Sequence, residues 1–212
     1  MSSDKVHDHT QQTQADIFKL LAACFYKPEK EVLIDSDLPG TLASLVKNVS
    51  DEAYRGSVQM KEAVKKYSIE ELQVEYTRLF LGPFGVAVPP YGSYYLEKTG
   101  EVMGETTREV MQLYRKAGLA IDEGFTELPD HIAVELEFAY YLVTTINNPD
   151  VRHNGKKYDT LIALYTQFQS LYFIPFIRPF SERLSQETDN DFYLGLATCL
   201  REISDHTKLS GG

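Results

Sequence analysis

The stretch ELPDHIAVELEF, residues 127–138, places a proline, an aspartate and a histidine directly ahead of an apolar, helix-like run. On a helix His131 and Glu135 stand one turn apart on the same face and could share a proton or an ion. Glu135 and Glu137 diverge by about 200° around the axis and cannot converge on one metal. A di-iron bundle would need Glu three residues before His on two helices, and none of His7, His9, His131, His153 or His206 has it. No Gly-rich phosphate loop, H-E-x-x-H or G-x-S-x-G is present. Asp130-His131 reverses the His-Asp order of metal-dependent phosphohydrolases, and a metal-dependent hydrolase using Asp130, His131 and Glu135 is the enzyme alternative. The structural alternative has Asp130 capping free amides and His131 bonded to Glu135 or to a carbonyl, so that both fix a helix start. Ser93 lies among Tyr91, Tyr94 and Tyr95, which supply no general base for a nucleophile.

A binding surface remains. VPPYGSYYLE and ELPDHI each bring rings, hydroxyls and acids to a place where a helix begins, a combination suited to an apolar peptide with a cationic end. The elements that must position them read as helices. Ile17, Leu20, Leu21 and Cys24 follow a helical period after Thr13, which with Asp16 resembles a capping box, and Pro28 closes that helix. Leu42, Leu45, Val46 and Val49 mark a second helix, and DEAYRGSVQMKEAVKKY a more polar third. Ser68 and Glu71 form a capping box ahead of Leu72, Tyr76, Leu79 and Phe80. The Gly- and Pro-rich segment 81–91 reads as an ordered loop. GETTREVMQLYRKAGL predicts a helix closed near Gly118, and a DEGF link follows it.

Pro129 suits the first position of the next helix and Asp130 its first turn, which predicts one long helix from Pro129 through PDHIAVELEFAYYLVTTI. The stretch from Lys156 to Gln186 predicts two helices broken near Pro175 and Pro179, and Asn190 or Asp191 should cap the last helix. No strand alternation and no fixed-period repeat is found. The expectation is an all-α fold, a single globular domain of about eight to ten helices over residues 13–207, with tails at 1–12 and 208–212.

Composition narrows the partner. Hydrophobic residues at 43% and charged residues at 25% are ordinary globular values, and 14 Tyr and 11 Phe with no Trp make the chain rich in rings. The balance of 31 acidic against 21 basic residues gives a net charge of −10, which repels phosphate backbones and attracts basic peptides. The short lysine groups, Lys61 with Lys65 and Lys66 and then Lys156 with Lys157, read as solvated faces rather than a nucleic-acid site. Cys24 and Cys199 read as buried free thiols, a helix-to-helix disulfide staying open. The polar N-terminus shows no secretory h-region and no apolar stretch nears the ~20 residues of a membrane span, which predicts a cytosolic protein.

In order along the chain stand Leu79-Phe80-Leu81-Gly82-Pro83, then Pro90-Tyr91-Gly92-Ser93-Tyr94-Tyr95, then Glu127-Leu128-Pro129-Asp130-His131 with Glu135-Leu136. These segments resemble the TorD/DmsD/NarJ family of redox-enzyme maturation chaperones, and the helical pattern and length extend the resemblance over most of the chain. The resemblance implies a non-enzymatic cytoplasmic chaperone without cofactor or metal. Such a chaperone binds the twin-arginine signal peptide, and the catalytic subunit, of a molybdopterin oxidoreductase until cofactor insertion. Carried over by position, Tyr91, Ser93 and Tyr95 in the loop and Glu127, Leu128, Pro129, Asp130, His131 and Glu135 at the helix start would frame the peptide site. Asp130 and Glu127 would pair the arginines while Tyr and Leu side chains accept the apolar part. Some members have Trp where this chain has Tyr91 or Tyr94, so the pocket shape, and with it the client, does not carry over from the resemblance. Some members form domain-swapped dimers, and monomer and swapped dimer both stay open.

Overall fold

Several helices begin where a side chain accepts from an end amide that has no partner within the helix, as Ser50, Ser68, His131, Asn148 and Asn154 do. The computed structural model describes residues 3–82, 85–97, 100–120 and 127–206. Pro83 of the Leu-Phe-x-Gly-Pro segment, the Asp122–Phe125 link and the expected tail at 208–212 lie outside these residues. Among the described residues the elements are α1 (Ser3–Cys24), α2 (Leu38–Val46), α3 (Asp51–Lys66), α4 (Ile69–Tyr76), α5 (Gly92–Leu96) and α6 (Glu105–Lys116). They continue with α7 (Ile132–Asn147), α8 (Pro149–Arg152), α9 (Gly155–Phe168), α10 (Ile174–Glu187) and α11 (Asp191–His206). π-Helical turns occupy Glu31–Asp35, Thr77–Leu81 and Gln169–Phe173. The all-α expectation holds, and the helix count exceeds it because α5 and α8 are single-turn pieces too short to show a period.

Several local signals act as read. Ser68 and Glu71 form the reciprocal capping box of α4, with Ser68 N donating to Glu71 Oε2 at 2.7 Å. Asn190 Oδ1 accepts from Phe192 N at 3.0 Å and caps α11. Gly118 adopts φ +87° just after α6, a conformation open to glycine without a Cβ penalty.

Three expectations are corrected. α1 starts at Ser3, so Thr13 and Asp16 sit inside the helix, where Gln12 Nε2 donates to Asp16 Oδ1 at 3.0 Å one turn away. The same residue types that cap a helix also pair along one, and nothing local breaks the run ahead of Thr13. The two helices expected around Pro175 and Pro179 are α9 and α10, but they join through a π turn at Gln169–Phe173 and do not break at either proline. In that turn Ile174 N–H reaches Gln169 O, a one-residue register slip that lets the helix continue through Pro175. Pro179 then sits inside α10. Pro129 and Asp130, the third case, form a turn ahead of α7 rather than its first residues.

The chain forms two compact units, Met1–Lys19 with Tyr91–Phe176, and Leu20–Pro90 with Ile177–Gly212. In the first, α7 lays Phe138 against Tyr114 at 4.3 Å and Phe168 at 5.0 Å between ring centres, and Phe18 meets Phe173 edge-on. In the second, Phe25, Phe80, Phe180 and Tyr193 form a ring cluster, and α3 and α11 meet at Gly56 and Gly195. A Cβ on Gly56 would lie 2.8 Å from the Gly195 carbonyl oxygen, so the backbones approach because neither residue has a side chain. Cys24 and Cys199 are buried and free, as read from their apolar surroundings. Burial pushes the Cys199 thiol up to about 12, and it donates to Ala53 O at 3.2 Å. The helical run Gly155–Glu187 reaches the length and hydropathy of a membrane span, with Gln167, Gln169 and Ser170 interrupting its apolar residues. Half of its qualifying window is buried within the protein, a property it shares with core helices.

Candidate functional site

The tyrosine segment and the Pro-Asp-His segment, widely separated in sequence, meet backbone to backbone in the first unit. Tyr91 and His131 form an antiparallel bridge, and Gly92 N donates to Asp130 O at 2.7 Å. Both bridge residues are extended, at φ −120°, ψ 131° and φ −70°, ψ 138°, and each is the N-cap of the helix it precedes, α5 and α7. The proline and glycine beside them favour this: Pro129 holds its chain in a turn, and Gly92 has no side chain to wedge the two strands of backbone apart. A Cβ there would stand 3.2 Å from Glu135 Oε1 and 3.5 Å from Phe176 Cδ1.

Asp130 does not cap its own helix. Its Oδ2 accepts from Ser93 N at 2.8 Å, so the carboxylate supplies an acceptor to the first turn of α5 that Tyr91, without a side-chain cap bond, does not. His131 caps α7 instead, Nδ1 accepting from Ala133 N at 3.2 Å, which requires the neutral imidazole. The Pro129 carbonyl accepts from the Tyr114 hydroxyl of α6 at 2.6 Å, and His131 N donates to Leu128 O at 3.1 Å, which closes the turn. These tertiary bonds hold Pro129 and Asp130 out of the helix that their residue types would otherwise start.

Glu127 lies half-buried at the edge, Oε1 accepting from the Tyr91 hydroxyl at 3.1 Å and from Leu128 N at 3.0 Å. The Tyr91 ring meets the His131 ring at 5.4 Å, and Tyr95 packs on Phe176 at 5.4 Å. Tyr91, Tyr95, Glu127 and Leu128 therefore reach solvent in part, whereas Ser93, Pro129, Asp130, His131 and Glu135 are buried behind them. Asp130 and Glu135 are both 0% exposed, which corrects the expectation that Asp130 meets an arginine directly. Glu127 is the carboxylate at the surface.

Burial governs the titration of the interior groups. It lowers the His131 imidazole, with Glu127 and Asp130 acting in the opposite sense, and it holds Glu135 well above the usual carboxylate range, Asp130 adding to the rise. Among the described residues no group of three or more His, Cys, Asp and Glu side chains is arranged to hold a metal ion. His131 spends its Nδ1 on a helix cap, and Asp130 one oxygen on an amide.

Residues that sequence reasoning left out complete the site. Tyr114 reads as one more apolar position on α6 and Phe176 as one more core ring, and no local pattern ties either to the Tyr91 segment. Beyond α5, Val102 and Met103 are 43% and 65% exposed, and Met103 adopts φ +66°, which β-carbon sterics disfavour. The Glu97 carboxylate accepts from Thr106 N at 2.7 Å and so ties the end of α5 to the start of α6.

Residues 47–182 match the family model described as nitrate reductase delta subunit. The chain is 24% identical to a protein named chaperone protein TorD from Vibrio cholerae, over 82% of this chain and 81% of that protein. It is 27% identical to the chaperone protein TorD of Vibrio parahaemolyticus over 61% of this chain, spanning 59% of that relative's length. A protein named as a probable Tat proofreading chaperone DmsD from Haemophilus influenzae is 28% identical over 63% of this chain and 59% of its own. The fold resembles a crystal structure described as a redox enzyme maturation protein from Archaeoglobus fulgidus, with a TM-score of 0.53, 26% identity, and coverage of 88% of this chain and 91% of that one. With more than half of its length matched by the family model, the chain belongs to the nitrate reductase delta subunit family, the group of the TorD- and DmsD-like chaperones.

Proposed function

We propose that this chain is a cytoplasmic, non-enzymatic chaperone that binds the twin-arginine signal peptide of a molybdenum-cofactor oxidoreductase, together with its apo catalytic subunit, and holds it until cofactor insertion precedes export. The observation that carries the reading is the backbone pairing of Tyr91-Gly92 with Asp130-His131, which gathers the two peptide-binding segments of the resemblance at one edge. The names of the relatives, chaperone TorD and Tat proofreading chaperone DmsD, point the same way.

The chemistry is complementary. A twin-arginine leader joins guanidinium groups to an apolar stretch, and a protein of net charge −10 attracts it. Glu127, held by the Tyr91 hydroxyl at 3.1 Å, is placed to accept a guanidinium at the rim. The half-buried rings of Tyr91, Tyr94 and Tyr95 offer apolar area to the rest of the leader. An exposed ion pair is worth only about 0.2–1 kcal/mol, whereas apolar burial gives about 25 cal/mol per Å², so the apolar contacts carry most of the affinity. Asp130 and His131 act from behind, by fixing the backbone on which the surface groups stand.

Titrating the purified protein with synthetic twin-arginine leaders from its own genome tests the reading. Saturable binding to one of them, weakened by replacing both arginines, is expected. No saturable binding to any leader would sink it.

A further inference from the structure

Four polar atoms at the junction of α5 and α7 have no hydrogen-bond partner although they are fully shielded from solvent: Ser93 Oγ, Asp130 Oδ1 and both carboxyl oxygens of Glu135. Their residues are each 0% exposed. Three of the four oxygens of two neighbouring carboxyl groups are thus left without a donor inside one unit of the protein. Glu135 Oε1 and the Asp130 β-carbon lie 3.2 and 3.6 Å from the same point above Gly92, so the two acids face one small volume. Two ionised carboxylates there would be unscreened, unpaired and mutually repelling, a state that burial makes untenable. A single proton supplies the missing donor and removes one of the charges.

We propose that Asp130 and Glu135 share one proton, the neutral Glu135 carboxyl donating to Asp130 Oδ1, and that this acid pair is the latch that holds the Tyr91 segment on the start of α7. The bond chain is short. Glu135 would steady Asp130 through Oδ1, Asp130 holds the Ser93 amide through Oδ2 at 2.8 Å, and its carbonyl holds Gly92 N at 2.7 Å. Glu135 is a positioning residue: it is buried and acts on the Tyr91 edge through Asp130. The titratable group acting on Glu135 is Asp130; Asp130 and Glu127 also act on His131, and Gly92 of α5 and Phe176 bring no charge. The latch rests on the chaperone reading only for its use, since its chemistry is internal.

The full-length protein, its isosteric variant Glu135→Gln and the truncating Glu135→Ala are compared by amide hydrogen exchange at Gly92 and Ser93 and by affinity for a twin-arginine leader peptide, from about pH 5 to about pH 9. A glutamine amide donates to Asp130 at every pH. Glu135→Gln is therefore expected to keep both amides protected throughout, whereas in the wild type their protection relative to Glu135→Gln falls by about tenfold as pH rises and the shared proton leaves. Glu135→Ala should lose protection at all pH values. If Glu135→Gln exposes the amides as much as Glu135→Ala does, or if the ratio of wild type to Glu135→Gln is constant with pH, the latch is refuted. Failure of every leader to bind would overturn the chaperone reading and leave the exchange result to decide the latch by itself.

Discussion

Ser93 N donates to Asp130 Oδ2 at 2.8 Å, so the aspartate of the Pro-Asp-His segment caps α5, across the site, rather than the helix that follows it in sequence. One carboxylate thereby joins two segments and sets the separation of Tyr91 from Glu127. Removing it should loosen the site more than the helix. Asp130→Ala leaves a buried amide without an acceptor, a loss of about 1–3 kcal/mol, whereas Asp130→Asn keeps an acceptor for Ser93 N and should lose far less. Chemical denaturation of the two variants gives the comparison, and equal losses would deny the cross-site cap.

A methyl group on Gly92 should crowd the Glu135 carboxyl. A Cβ at this position meets Glu135 Oε1 at 3.2 Å and Phe176 Cδ1 at 3.5 Å, and the backbone pairing with Asp130 prevents retreat. Gly92→Ala is expected to destabilise by about 1–3 kcal/mol. A melting temperature equal to that of the wild type would show that α5 shifts freely.

His131 predicts acid sensitivity. Its imidazole is held below the ordinary 6.5 by burial, and its Nδ1 accepts from Ala133 N only while neutral. Between 6.5 and the lowered value the unfolded chain binds the extra proton, so stability is full above 6.5 and is lost as pH falls through the folded value. His131→Asn retains a capping acceptor without a proton to gain. Its stability should vary less with pH over that window, measured as the difference in denaturation midpoint from wild type, and parallel curves would remove His131 from the account.

Glu127 predicts a modest, salt-dependent contribution to leader binding. Glu127→Gln keeps an acceptor for the Tyr91 hydroxyl and Leu128 N while removing the charge. Affinity for an arginine-bearing leader should fall by the equivalent of about 0.2–1 kcal/mol at low salt, with the difference shrinking as salt is added. Isothermal titration at two ionic strengths checks this, and an unchanged affinity at low salt would place the arginines elsewhere.

In the second unit, Gly195→Ala would drive its new methyl into the Gly56 carbonyl oxygen where α3 and α11 approach. Separating the helices gives up packing along their whole contact, and a loss of about 1–3 kcal/mol or more is expected in thermal denaturation. An unperturbed variant would mean that the helices part easily.

Sequence by itself determined what depends on neighbours along the chain. Helical periodicity, the Ser68 capping box, the cap of α11 at Asn190 and the glycine stop at Gly118 are local events, decided within one or two turns, and each stands in the structure as read. The order of the tyrosine and Pro-Asp-His segments, and the acidic balance that favours a basic peptide, were legible too. Tertiary structure alone decided which carboxylate faces solvent and which is sealed. Asp130 reads as a first-turn acid because its type and position favour one, and the Gly92 and Ser93 amides and the Tyr114 hydroxyl, brought from distant parts of the sequence, turn Pro129 and Asp130 away from α7. Helix start signals are short-range and weakly favourable, so a buried bond to a distant amide outweighs them; that is why the helices could be read from the sequence while the inside and outside of the site could not.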